Sequence, residues 1–204
     1  MFLNIALFLK HVGLLFVCIV GDKLCEAPQM PALLRACIDN ATHVLIGLIG
    51  AELVLGSIKY HPTKREYGAL LLEAALVSSL IDLDHFIEAR SFRLQDATNL
   101  NRRPFLHNSA ICFLIVMLLI VGKRTTNGVF TLATAMALIA FSTHHVRDAT
   151  RRGIWLKVPF VDLNSPPIPY IGYLAFVNGA PYAVSLLLSS LVKVSARSKV
   201  AEMV

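Results

Sequence analysis

Six stretches of the chain, about 2–20, 38–58, 68–87, 104–122, 128–146 and 170–192, are apolar over roughly the length needed to cross a bilayer. A backbone inside hydrocarbon must satisfy its own hydrogen bonds, which leaves helices or closed barrels. A spanning barrel reads as short alternating segments, and none is present. The chain therefore reads as an all-α polytopic membrane protein, a single integral domain built as a bundle of about six transmembrane helices. The share of hydrophobic residues, 56%, against 16% charged, lies outside the usual balance of a soluble domain. A net charge of +6 would suit nucleic acid. The basic residues, however, collect in the short connections, where they act as topology signals and phospholipid contacts. The expected partner is the lipid bilayer, and no nucleic acid is expected.

The first run is interrupted by Lys10 and His11. It reads as a membrane helix rather than a cleaved leader, because Gly21-Asp22-Lys23 is a poor cleavage site. Of the four cysteines, Cys25 and Cys37 share one connection and could bridge in an oxidising lumen; small buried thiols are the simpler reading. Residues 193–204 read as a short disordered tail.

The third run ends in Ile81-Asp82-Leu83-Asp84-His85. Charge at the end of a membrane helix is costly, and it points to function with a partner to be named. Candidate partners recur: Asp39 and His43 open the second run, His107 opens the fourth, and His144, His145 and Asp148 close the fifth. Consecutive spanning helices alternate in direction, so start, end, start and end all fall on one membrane face. Random placement would do this about one time in eight.

Helical spacing refines the set. Asp82 and His85 are three apart and converge. Asp84 points away from Asp82 in a continuous helix, which suits a supporting or second-metal role. His144 and His145 each reach Asp148 but diverge from one another by about 100°. Imidazole with carboxylate favours a borderline divalent metal, zinc first, with manganese or iron as alternatives. The implied chemistry is hydrolytic, with Asp82 and Asp84 as catalytic carboxylates and Asp84 placed to orient water or accept its proton. Arg102, Arg103, Arg147, Arg151 and Arg152 share the face and suit an anionic lipid or phosphoester substrate. Asp39 and His145 complete the surroundings.

Asp39-Asn40-Ala41-Thr42-His43, Ile81-Asp82-Leu83-Asp84-His85-Phe86, Arg102-Arg103-Pro104-Phe105-Leu106-His107 and Ser142-Thr143-His144-His145-Val146-Arg147-Asp148 resemble the transmembrane protein 267 family over nearly the whole chain. More remotely, the pattern is similar to the bacterial LexA-regulated, membrane-bound metal-dependent hydrolases. That resemblance implies metal and catalytic roles for His43, Asp82, Asp84, His85, His107, His144 and Asp148. The chain departs from the bacterial Thr-His-Ser pattern at Leu106-His107-Asn108-Ser109, where the serine is displaced by one.

The plainer alternative is a structural or interaction protein whose polar cluster locks helices together, at about 0.6 to 2 kcal/mol per hydrogen bond. The arginines then serve as headgroup anchors. Asp39 with His43 is then a helix cap and a satisfied histidine, and His11 and His61 stand apart. A metal or ion transporter is a third reading, opposed by a cluster near one end rather than at the midplane.

Overall fold

The computed structural model describes residues 5–58, 62–125 and 128–191. His61 and the expected tail at 193–204 lie outside these. Among the described residues eight α-helices follow one another: α1 (Ile5–Cys25), α2 (Ala32–Ser57), α3 (Lys64–Leu80), α4 (Leu83–Ala89), α5 (Leu94–Thr98), α6 (Ala110–Thr125), α7 (Gly128–Arg152) and α8 (Tyr170–Leu191). A small antiparallel hairpin, β1 (Trp155–Val158) with β2 (Val161–Asn164), interrupts the last connection and pairs Trp155 with Asn164 and Val158 with Val161. The architecture is an all-α membrane bundle.

Four helices, α1, α2, α7 and α8, are long and apolar enough to cross a membrane. With 17 and 16 residues, α3 and α6 reach about 24–26 Å, short of a bilayer's hydrocarbon core. The expected count of about six therefore resolves into four full-length spans and two shorter helices. The outward faces are apolar, as lipid-facing surfaces should be: α6 exposes Phe113, Leu114, Met117, Leu118 and Val121.

The core forms where α7 packs on α2, α3, α6 and α8. Met136, Ile139 and Ala140 of α7 meet Val54, Ala74 and Leu188 there. Close approach between α2 and α3 depends on Gly47, where an added Cβ would collide with the Ser78 side chain. Several polar groups inside the bundle are paired. Lys10 lies 2.6 Å from Glu52, which also accepts from the Tyr67 hydroxyl at 2.7 Å, and His11 bonds Asn178.

Several boundaries differ from the sequence expectation, each for a local reason. Helix α2 begins at Ala32, directly after Pro31, whose fixed φ suits a helix start. The third run does not continue to residue 87 as one helix. After α3 the chain tightens as α4 begins, with Asp84 N–H donating to Ile81 O and His85 N–H to Asp82 O, both at 3.2 Å. The fourth run does not start at Pro104. Pro104 is extended, Phe105–His107 form a single 3-10 turn, and α6 begins at Ala110. Asn108 sets that start: its Oδ1 accepts from Ala110 N–H at 3.1 Å and Lys157 N–H at 2.9 Å, and its Nδ2 donates to Lys157 O at 2.6 Å. Helix α7 continues past residue 146 and stops at Gly153, whose φ of +72° and contact with the Ser165 backbone admit no side chain. All four cysteines are free; Cys25 is buried and Cys37 exposed, so that pair forms no bridge.

Candidate metal centre

The tightened turn after α3 has a chemical consequence. In i to i+3 bonding, side chains three apart eclipse. Asp82 and His85 therefore overlie, with His85 Nδ1 3.8 Å from Asp82 Oδ1. Asp84 does not point away, as a continuous helix would require; it turns inward and is completely buried.

Asp82, His107, His144 and Asp148 each bring one ligand atom to a common locus, all within 4.8 Å of one another. His107 Nε2 lies 3.5 Å from Asp82 Oδ1 and 3.1 Å from Asp148 Oδ2. His144 Nε2 lies 3.5 Å and 3.4 Å from the same two oxygens. His43 Nε2 lies 3.4 Å from Asp148 Oδ1. Most of these separations exceed the usual 2.9–3.0 Å of an N–H···O bond, roughly. They match the spacing of donors around a shared cation, because ligands about 2.1 Å from one centre at tetrahedral angles are about 3.4 Å apart.

The histidine tautomers fit the same chemistry. His144 Nδ1 lies 3.1 Å from the Ser78 carbonyl. An oxygen that can only accept fixes the proton on Nδ1 and leaves the Nε2 lone pair facing two carboxylates. Buried His144 Nε2 has no hydrogen-bond partner. His107 Nδ1 lies 3.3 Å from Asp84 Oδ2, which is pinned by the Leu106 N–H at 2.7 Å. A histidine held by a carboxylate or a carbonyl on one nitrogen, with the other turned to the centre, is the usual support of a metal-ligating imidazole. The donor set therefore fits a divalent cation.

Electrostatics agree. Burial pushes the Asp82 and Asp84 carboxyls up, but contacts with His107, joined by His144 at Asp82 and His85 at Asp84, hold both below the usual range. Burial disfavours a charged His107, yet Asp148, Asp82 and Asp84 push it up to about 11. The carboxylates demand positive charge at this locus, from a proton or from a metal.

A cavity of about 240 Å³ opens beside the cluster. Asp82, His85, His107, His145 and Asp148 line it, together with Arg103, Arg151, Arg152 and Trp155. Asp84 is not among the lining residues; it sits behind His107. His145 donates from Nδ1 to the Phe141 carbonyl at 3.1 Å, leaving Nε2 unprotonated and without a partner.

The arginines divide. Arg103 lines the cavity and donates to the Gly153 and Arg152 carbonyls. Arg102 lies outside the cavity and is exposed. Arg147 is fully buried and turned elsewhere: its Nε meets Asp22 Oδ1 at 2.8 Å and its Nη2 meets Asp39 Oδ1 at 2.9 Å. Arg151 binds the same Asp39 oxygen at 3.0 Å. Sequence reasoning missed Asp22, Ser78 and Trp155. Asp22 carried a signal, as a carboxylate closing an apolar run. Ser78 acts through its carbonyl, which no sequence pattern marks.

Asp84 is best read as a positioning residue. With a divalent ion in the cluster, Asp84→Asn would weaken its binding by about 10- to 100-fold while leaving Asp82, His107, His144 and Asp148 in place. Titration of the purified variant with zinc checks this, and an unchanged affinity would contradict it.

The sequence model of a family described as YdjM inner membrane protein matches residues 38–204. Transmembrane protein 267 of Mus musculus is 34% identical over 188 residues, covering 88% of this chain and 82% of that protein. Transmembrane protein 267 of Danio rerio is 36% identical over 182 residues, covering 86% of this chain and 78% of that protein. No solved structure matches. With the long apolar helices, these similarities make the chain an integral, multi-pass membrane protein.

Proposed function

We propose a divalent-metal centre for this chain, which belongs to the YdjM inner membrane protein family and to the transmembrane protein 267 family. Asp82, His107, His144 and Asp148 hold the ion, with His43 and His85 beside them. The observation that carries the reading is His144, whose Nδ1 lies against the Ser78 carbonyl and whose buried Nε2 faces Asp82 and Asp148 with no hydrogen-bond partner. Zinc suits this donor set best, and manganese or iron also fit.

The activity proposed is hydrolysis of a membrane-proximal ester or phosphoester. A divalent ion supplies Lewis-acid polarisation and makes water a competent nucleophile near neutral pH. The chain's own residues supply the rest. His145 lines the cavity, and with its Nδ1 proton on the Phe141 carbonyl its Nε2 is the basic nitrogen, which suits acceptance of a proton from water. Asp82 lines the cavity and Asp84 does not, so the catalytic carboxylate is Asp82, while Asp84 orients His107. Arg103, Arg151 and Arg152 also line the cavity and supply positive charge for an anionic group of a substrate.

The test is product release from vesicles carrying labelled ester and phosphoester lipids. Wild type should turn over at least one of them, a chelator should abolish turnover, and His145→Gln should slow it by about 100-fold or more. A structural role for the cluster gives no turnover in any vesicle, with the chelator lowering only the melting temperature.

A further inference from the structure

We propose that the cluster is binuclear, with Asp148 bridging the first centre to a second cation position formed by His43, Asp39 and Asp82. This rests on the metal reading above and extends it to residues that the first centre leaves unexplained.

The Asp148 carboxylate divides its oxygens between different histidines. Oδ2 faces His107 Nε2 at 3.1 Å and His144 Nε2 at 3.4 Å, whereas Oδ1 faces His43 Nε2 at 3.4 Å. The two oxygens thus reach toward different imidazoles, as those of a carboxylate shared between two ions would. Carboxylates that do so are the usual bridges of two-metal hydrolytic sites, whose ions lie about 3.5–4 Å apart.

His43 is the second observation. It is 2% exposed, and neither ring nitrogen has a hydrogen-bond partner. Leaving a buried donor or acceptor unmade costs about 1–3 kcal/mol. The ring also stacks on His144 with centroids 3.8 Å apart and planes within 21°.

Asp39 is the third observation. Arg147 and Arg151 both take its Oδ1, at 2.9 and 3.0 Å, and hold the carboxylate in place. Oδ2 is left toward His43, 3.9 Å from its Nε2. Asp39, His43 and Asp82 form a donor group within 4.8 Å, and Asp82 belongs to the first centre as well. The two positions thus share carboxylates and differ in their histidines. With imidazole and carboxylate donors at both, the second ion belongs to the same class of borderline divalent cations.

The experiment is manganese titration of the purified, metal-stripped full chain, read by bound metal per chain and by electron paramagnetic resonance. Wild type should bind two equivalents and show the spectrum of an exchange-coupled pair. His43→Ala should bind one equivalent with an uncoupled six-line spectrum. Saturation of wild type at one uncoupled equivalent overturns the binuclear proposal and leaves the first centre standing. No bound manganese overturns both. The wild-type result decides the matter even where His43→Ala does not fold.

Discussion

Arg147→Met is expected to destabilise the protein by about 3–5 kcal/mol, the cost of leaving buried acidic partners without their cation. Arg147 is one of the largest fully buried side chains, and it joins three helices: its own α7, Asp22 at the end of α1 and Asp39 near the start of α2. Tyr170 of α8 donates its hydroxyl to the second oxygen of Asp22 at 3.1 Å, so the network reaches a fourth helix. Methionine fills a similar volume and keeps the packing, which isolates the charge. The melting temperature in detergent should fall by on the order of 10 °C for a chain of this size. Arg147→Lys should rescue little, because an ammonium on a flexible stem cannot replace the planar fork that meets Asp22 through Nε and Asp39 through Nη2. An unchanged melting temperature in Arg147→Met would show that the network contributes nothing net.

Asp148→Asn is expected to lower metal affinity by more than about 100-fold, beyond the range for a supporting residue such as Asp84. The substitution keeps the shape and removes one negative charge. Asp148 lies within 3.4 Å of His43, His107 and His144, so one residue faces three of the proposed ligands. The amide also brings N–H donors to imidazole lone pairs, which lets the cluster satisfy itself without a cation. Affinity falls while the fold is kept, the opposite balance from Arg147→Met. Calorimetric titration with zinc measures the loss, and retention of wild-type affinity would remove Asp148 from the ligand set.

The two substitutions separate neighbours on one helix, and the separation was only partly legible in the sequence. The spacing of Asp39 and His43, Asp82 to His85, His107, and His144 to Asp148 was enough to place them on one face, because apolar runs of spanning length force alternating directions. Arg147 looked like one more basic residue on that face, available to a substrate. Its burial depends on Asp22, which is 125 residues away. No periodicity reports such a pairing. The role of Asp84 was read from an α-helical angle, but the chain tightens between Ile81 and His85, and that change of turn rotates Asp84 to the buried side of His107. Helix α6 was expected from Pro104. Its delayed start comes from Asn108 binding the backbone of a hairpin some 49 residues later, a tertiary contact overriding a sound local signal. Hairpin β1–β2 lies in the proline-containing stretch between the fifth and sixth apolar runs, and its four-residue strands are too short to stand out beside them.

Whether the His/Asp cluster holds metal is read by elemental analysis of gently purified wild type beside Asp82→Ala and His144→Ala. Near-stoichiometric or greater zinc, manganese or iron in wild type, lost in both variants while circular dichroism shows the helices intact, is the predicted result. Wild type without metal, or equal metal in all three proteins, would contradict it and leave the cluster as a polar lock between helices.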